Sequence, residues 1–356
     1  MIHQDWQAAR RILLIRLDNL GDVLVTTPAF HAVRESLPLS ELTLLTSTVG
    51  ARAGALNPDL DSVWTYPAPW TDPWSRLPQD PGREQAMISR VSKGAFDAAI
   101  IFGSFHQSPL PAAYLCYLSG IPLRLAASID GPGSLLTTRH RHPERTMHEV
   151  ERGLDLVSAI GIGTSRKDLV LTVPSTARAE IAALTHGNPL VVLHPGCTMP
   201  ARTYPPDLYA SAADELIENL GATVLLTGTE DEKGVTASVG RAMRHDSVDL
   251  AGKLSFPALC ALIEAADLTL TNNTGPMHIS AALKTPVVAL FALTNPPEQW
   301  GPWRVPHRML YHDVPCRLCY QRVCPRNQEC LRDVSASEIV TAARELLGSD
   351  KLRVAS

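Results

Sequence analysis

Several things are scarce in these 356 residues. Aromatic side chains make up 5% and charged ones 19%, and the longest apolar run, Pro286 to Leu293, is far short of the roughly 20 residues a bilayer-spanning helix needs. A membrane-embedded chain is therefore not expected. The apolar segment behind Arg10 and Arg11 does not read as a secretion signal, because it runs into Arg16 and Asp18 without a small-residue cleavage site. No dense Lys/Arg block interleaves with aromatics, and the formal net charge is −4, so no nucleic-acid partner is expected. Internal repeats of solenoid period are absent, and so is the GxGxxG dinucleotide fingerprint. The expected location is the cytoplasm, with peripheral contact at the inner face of the plasma membrane left open.

What is present is alternation. Short apolar strands are expected at Arg11 to Leu17, Leu42 to Thr46, Ala98 to Phe102 and Arg124 to Ala127. Helices are expected over Arg83 to Lys93, Pro109 to Ser119 and Thr146 to Ile160, and Thr27 before Pro28 reads as an N-cap followed by proline at the first helical position. Ala68 to Gly82, rich in Pro, Asp and Trp, reads as a long loop. A helix over Thr176 to Leu184 and the turn His186-Gly187-Asn188-Pro189 mark a domain junction and hinge. A second run follows, with strands near Leu190 to His194, Thr223 to Leu226, Ser247 to Leu250, Leu268 to Thr271 and Val287 to Phe291. The chain looks irregular after Trp303, until a helix from Ser335 to Leu347 begins with Ser335 and Glu338 in capping-box spacing. The expected class is α/β: a Rossmann-like domain over 1–175, a second over 186–334 and a C-terminal helix over 335–348, the two doubly wound sheets facing across a cleft.

Ligands of open α/β sheets bind beyond the carboxyl ends of the strands, so residues just after strands carry the most information. Leu17-Asp18-Asn19-Leu20-Gly21-Asp22 follows the first strand, and Asp22 suits a general base on an acceptor hydroxyl, or simply a helix cap. His194-Pro195-Gly196-Cys197-Thr198, followed by Arg202, offers backbone N–H groups, a hydroxyl and a cation to a diphosphate, or is an ordinary turn. Glu230 could take ribose or sugar hydroxyls or favour a helix dipole. Asn273-Thr274-Gly275-Pro276-Met277-His278 opens a helix whose first N–H groups suit phosphate, with His278 alone more often a satisfied helix-face residue. Asp59-Leu60-Asp61 has DxD metal spacing but sits where a loop leads into an edge strand, so it is not read as a metal site. Arg139-His140-Arg141-His142, with Arg145 and His148, reads as a solvated loop or a contact for an anionic acceptor.

Of the seven cysteines, Cys116, Cys197 and Cys260 stand alone and four cluster as Cys316-x2-Cys319-x4-Cys324-x5-Cys330. In a reducing compartment these are not a disulfide framework. Their density suits a tetrahedral thiolate site for a structural zinc, or else reduced thiols packing an irregular segment.

Three ordered motifs, Arg16-Leu17-Asp18-Asn19-Leu20-Gly21-Asp22, His194-Pro195-Gly196 and Asn273-Thr274-Gly275-Pro276-Met277-His278, together with His148-Glu149-Val150-Glu151 and the cysteine-rich tail, resemble glycosyltransferase family 9, the bacterial lipopolysaccharide heptosyltransferases. The resemblance spans nearly the whole chain. It implies an inverting GT-B enzyme needing no cofactor for catalysis, with a nucleotide-diphosphate sugar donor, ADP-heptose by family default, and a glycan or glycolipid acceptor. It implies Asp22 as base, Arg202 where the family usually has a phosphate-contacting Lys, and Glu230 near the ribose. Asn19, Gly21, Gly196, Thr198, Asn273, Thr274, Gly275, Pro276, Met277 and His278 would line the substrates. The family's usual Asp before Thr-Gly is Asn273 here, which bears on the identity of the sugar. A nucleotide-sugar epimerase and a non-catalytic nucleotide-sugar-binding protein of the same fold are the alternatives, separable by supplying donor without acceptor.

Overall fold

The computed structural model describes residues 2–72, 74, 76–104, 107–185 and 189–350. The junction residues His186, Gly187 and Asn188, and Pro73 and Ser75 of the expected long loop, lie outside them. The chain divides into two compact units, residues 1–172 and 173–356.

In the first unit, six strands form one sheet: β1 (Arg11–Arg16), β2 (Glu41–Thr46), β3 (Ser62–Thr65), β4 (Ala98–Ile101), β5 (Leu123–Ala127) and β6 (Thr138–His140). The order is β3-β2-β1-β4-β5-β6 and every pairing is parallel. Helices cover both faces of such a sheet, so its central strands read as continuous apolar runs. Ile12, Leu13, Leu14 and Ile15 of β1 are accordingly fully buried. The second unit repeats the plan with β7 (Leu190–His194), β8 (Thr223–Leu226), β9 (Val248–Asp249), β10 (Leu268–Asn272), β11 (Val287–Leu290) and β12 (His307–Leu310), ordered β12-β11-β10-β7-β8-β9 and again parallel throughout. In both sheets the strand order reverses at the centre, between β1 and β4 and between β7 and β10. Open sheets place ligand crevices at that point.

The helix expected to start at Thr27 starts instead at Leu20 and runs to Ser36, with Pro28 inside it. Two features explain this. Asn19 and Asp22 form a capping box that starts the helix seven residues earlier than the Thr-Pro pair suggests. Proline cannot donate to the carbonyl four residues back, but the Thr27 hydroxyl donates to that same carbonyl, Leu24 O, at 2.7 Å. Thr27 Oγ1 also accepts from Val170 N at 2.8 Å, tying the helix to a distant strap.

Two other corrections concern edge strands. β12 lies in the stretch expected to be irregular after Trp303, and β6 was not anticipated. Both carry His and Arg at half-buried or exposed positions, as edge strands do, and so lack the apolar signature of a central strand. The expected helix from Thr146 shortens to Glu149–Ser158, because His148 acts as N-cap: its Nδ1 accepts from Val150 N at 3.1 Å.

The final helix, Ala336–Asp350, begins at the Ser335/Glu338 box, where Ser335 N donates to Glu338 Oε2 at 2.8 Å. It packs into the second unit's core, with Ile339, Val340, Ala343 and Leu346 among Leu216, Leu268 and Leu270. Burying a leucine such as Leu346 is worth about 2 kcal/mol, which ties the C-terminal segment to the sheet.

Candidate active site

The site of the first unit grows from the β1 carboxyl end. Asp22 occupies the third position of the Leu20–Ser36 helix, and its Oδ2 accepts from Asn19 N at 3.1 Å. The capping reading of Asp22 is therefore correct, yet it describes only one oxygen. Oδ1 is 3.0 Å from Arg16 Nη2 and accepts from Ser104 Oγ at 3.3 Å. Arg16 Nη2 also donates to Ser104 Oγ at 2.8 Å. Ser104 follows β4, so the group sits where the strand order reverses.

Arg16 is the centre of this arrangement. Its side chain is 2% exposed, and it pairs with Asp18 (Nε to Oδ2 3.0 Å), Asp22 and Glu149 (3.7 Å). Burial pulls the guanidinium down, but the three carboxylates outweigh it and hold it above its ordinary value. Burial and the neighbouring Asp22 push Asp18 up, against Arg16 and a bond from Gln107. Glu149 is held in turn by Arg152 at 3.2 Å. Of the sequence-predicted residues here, Asp22 is part-buried, Asn19 is an exposed N-cap, and Gly21 lies in the first helical turn rather than in a turn before the helix. Ser104 was not anticipated, because a single serine after an apolar strand carries no pattern.

In the second unit the site is assembled from β7, β8, β10 and the segment after β11. Asn272 spans the central reversal: its Nδ2 donates to Pro195 O at 2.8 Å and its Oδ1 accepts from Tyr204 N at 3.0 Å. Asn273 is buried, donating from Nδ2 to Asn295 Oδ1 at 3.1 Å and accepting from Ala292 N at 3.3 Å. Thr294 Oγ1 donates to Asn295 Oδ1 at 3.2 Å and accepts from Arg202 Nε at 2.9 Å. Arg202 and Asn273 thus share one hydrogen-bonded chain. Behind Asn273 the helix Gly275–Leu283 starts at Thr274, whose hydroxyl makes no N-cap bond. Pro276, Met277 and His278 are buried, and Met277 N donates to Thr274 O at 3.1 Å, so Met277 packs the core rather than meeting a substrate. Thr198 is exposed in the turn after β7.

The acid singled out on the β8 side is not the one most built into the structure. Glu230 is 70% exposed and pairs with Lys233 at 2.6 Å. Glu232 is 16% exposed, lies 3.5 Å from His194 Nε2 and accepts from Thr229 N at 2.8 Å and Thr229 Oγ1 at 3.0 Å. Burial alone would push its carboxyl up, but His194 and the two Thr229 bonds pull it down to about 2. A Cβ at Gly196 would stand 2.2 Å from Glu232 Cδ, so a larger residue there would push the Glu232 side chain from its bonds to Thr229. The signal was in the sequence: Thr229 and Glu232 have capping-box spacing, and the box forms.

The cysteine cluster supports this region. Cys316, Cys319, Cys324 and Cys330 line a cavity of about 10 Å³ with Ala201, Leu293 and Thr294, room for roughly one water-sized sphere. Backbone bonds dock the segment: Cys319 N to Leu293 O, Tyr320 N to Thr294 O, and Ala201 N to Arg322 O. The four thiols are free, and no three of these sulfurs come within 4.8 Å of one another.

The DxD carboxylates are engaged elsewhere: Asp59 with His31 at 3.1 Å, Asp61 with Arg34 and Leu42 N. His140 and His142 are half-buried, and both bond to Asp155.

Two parallel doubly wound units, each with polar residues at its strand-order reversal, define a GT-B glycosyltransferase fold. Comparison with known proteins agrees. The family model described as "Glycosyltransferase family 9 (heptosyltransferase)" matches residues 85–329. The chain is 26% identical over 340 residues to lipooligosaccharide heptosyltransferase 2 of Campylobacter jejuni, covering 94% of this chain and 97% of that one. It shares its fold with the crystal structure of the glycosyl transferase family 9 from Veillonella parvula (TM-score 0.79, 20% identity, 98% and 99% covered) and with Escherichia coli ADP-heptose LPS heptosyltransferase II (TM-score 0.77, 19% identity, 96% and 99% covered). The chain belongs to glycosyltransferase family 9, and it is a glycosyltransferase that uses a nucleotide-sugar donor. No helix among the described residues is long and apolar enough to cross a membrane.

Proposed function

We propose that the enzyme transfers heptose from ADP-heptose to a hydroxyl of a lipopolysaccharide or lipooligosaccharide core, with inversion and without a catalytic metal. The first unit, near residues 1–175, carries the acceptor, and the second binds the donor. Asp22 removes the acceptor proton as the hydroxyl attacks the anomeric carbon, and the bond to the diphosphate breaks in the same displacement. Arg202 and the N-terminus of the Gly275–Leu283 helix take up the charge that grows on the leaving diphosphate. Glu230 and Glu232 both follow β8, and Glu232, held by His194 and Thr229, is the better placed to orient ribose.

The observation that carries this reading is the setting of Asp22. Arg16 and Ser104 hold one oxygen and Asn19 N the other, so the carboxyl group is fixed at the β1 carboxyl end with lone pairs to spare. Donor and acceptor identity come from the relatives' names. The acceptor's lipid brings the enzyme to the membrane surface as a peripheral protein. The cysteine segment acts as a brace behind Arg202 and Thr294; a structural zinc would be held by the four thiolates only after they move closer than they stand here.

The test is incubation with ADP-heptose and a core glycolipid that lacks its terminal heptose. ADP release that depends on acceptor, with a product of inverted anomeric configuration, is expected. Donor turnover without acceptor, or retained configuration, would overturn the reading. Zinc content of the protein as purified, lost in Cys319→Ser, tests the brace.

A further inference from the structure

At the edge of the first sheet three side chains converge, one of them on the helix that also carries Glu149. His140 is the last residue of β6, His142 lies two residues on, and Asp155 projects from the Glu149–Ser158 helix. Both imidazoles reach the same carboxylate oxygen: His140 Nε2 lies 2.6 Å and His142 Nδ1 2.7 Å from Asp155 Oδ2. The rings meet nearly at right angles, 83° apart with centroids 5.0 Å from each other, so the two nitrogens approach from different directions. All three donor atoms lie within 4.8 Å of one another. Their side chains are 17%, 13% and 23% exposed, which leaves one side open to water.

We infer that His140, His142 and Asp155 form a binding site for a divalent transition metal of the zinc class, which clamps the β6 end to the helix that carries Glu149. Two imidazole nitrogens and one carboxylate oxygen make a donor set that suits zinc, with water in a fourth position. Ligands about 2.0–2.1 Å from a tetrahedral zinc stand roughly 3.3 Å apart, so admitting the ion needs the His–Asp separations to widen by less than an ångström. Rotation of the Asp155 carboxylate supplies that. Arg152, a cation that acts on His142, is paired with Glu149 at 3.2 Å, which limits its repulsion of a bound ion.

The clamp would close residues 140–155, a loop whose far end holds the His148 cap and Glu149. Closing a loop removes conformational freedom from the open chain, so occupancy should protect this segment from opening. The site is separate from the cysteine cluster in residues and chemistry. The two can be told apart by their donors, because thiolates give cobalt a charge-transfer absorption that nitrogen and oxygen ligands do not.

The experiment titrates the metal-free full chain with Co²⁺ and, separately, with Zn²⁺ against a chromophoric chelator. It compares the native protein with His142→Gln and Asp155→Asn, each confirmed folded by its thermal transition. The native chain should fill a site with ligand-field bands and no thiolate charge transfer, and Zn²⁺ should raise its Tm. Each variant should lose that component, with affinity at least tenfold weaker and a smaller Tm rise, while any thiolate band is unchanged. Identical Zn²⁺ stoichiometry and affinity in native and variant chains, or cobalt absorption arising wholly from thiolates, would overturn the inference. If one variant does not fold, the other decides, and the cobalt spectrum of the native chain decides without either.

Discussion

The two units follow the same plan, yet the polar groups at their strand-order reversals differ in kind. In the first, three carboxylates surround one buried guanidinium. In the second, three asparagines, one threonine and backbone groups form neutral hydrogen bonds with Arg202 at their margin. A buried charge is tolerated only with partners, and in the first unit the guanidinium and the three carboxylates supply them to one another. A site for a diphosphate needs the opposite: fixed neutral donors and one cation, so that the ligand brings the negative charge. Repeating a fold thus leaves the chemistry to the residues that follow the strands.

This contrast breaks most visibly at Asp22. Asp22→Asn keeps an oxygen for the Asn19 N–H, so the helix start should survive, but the amide cannot take the acceptor proton. We expect kcat to fall by about 10²–10⁴-fold with ADP affinity unchanged. Steady-state kinetics and calorimetric titration with ADP check both halves, and near-normal turnover would remove Asp22 from the mechanism. The next effect is on stability. Arg16→Met would leave Asp18, Asp22 and Glu149 without their shared cation, a loss of about 3–5 kcal/mol readable in thermal or urea unfolding. Truncating a partner of equal burial in the neutral network, as in Thr294→Val, should cost about 1 kcal/mol. Equal losses would mean that the charge contrast has no energetic content.

How much of this was legible follows the same division. Central strands such as β1, β7 and β10 announce themselves because burial on both faces demands unbroken apolar runs, and Asp22, Gly196 and Asn273 stand just past their carboxyl ends. Edge strands β6 and β12 were hidden, since a solvated edge tolerates His and Arg. The true start of the first long helix was masked by Thr27-Pro28, a strong local start signal that the Thr27 bond to Leu24 O neutralises inside the helix. Ser104 and Asn295 could not be assigned roles beforehand, because their partners Arg16 and Asn273 lie far away in sequence. Glu232 was the avoidable miss: its spacing from Thr229 was a recognisable cap, whereas the more conspicuous Glu230 pairs with Lys233 in solvent.

Glu232 also sharpens the comparison, as the one carboxylate woven into the neutral side. Its folded-state pKa of about 2 lies below its ordinary 4.5, so the stability it lends is complete above 4.5 and lost as pH falls toward 2. That difference is worth at most about 3 kcal/mol, less after solvent screening. Glu232→Gln should cost about 1–2 kcal/mol at neutral pH and flatten the acid limb of the stability curve between those values. Urea unfolding at several pH values measures this, and an unchanged acid limb would assign the limb to other carboxylates.

The smallest expected effect falls on Asn273, where the family usually carries Asp. Here the amide both donates to Asn295 Oδ1 and accepts from Ala292 N. An aspartate keeps the second bond but presents oxygen to oxygen at the first, so Asn295 must turn its amide. That turn removes the acceptor of the Thr294 hydroxyl, and Thr294 is what holds Arg202 Nε. The disturbance therefore reaches the diphosphate side without any direct contact. Asn273→Asp should weaken ADP binding by less than about tenfold, under 1.4 kcal/mol. A double-mutant cycle with Asn295→Ala isolates the link: if the amide pair carries the effect, the two changes together should fall short of their sum by about 0.5 kcal/mol or more. Additive losses would show that Asn273 acts on the donor by itself, and the neutral network would then be a set of separate contacts rather than one support for Arg202.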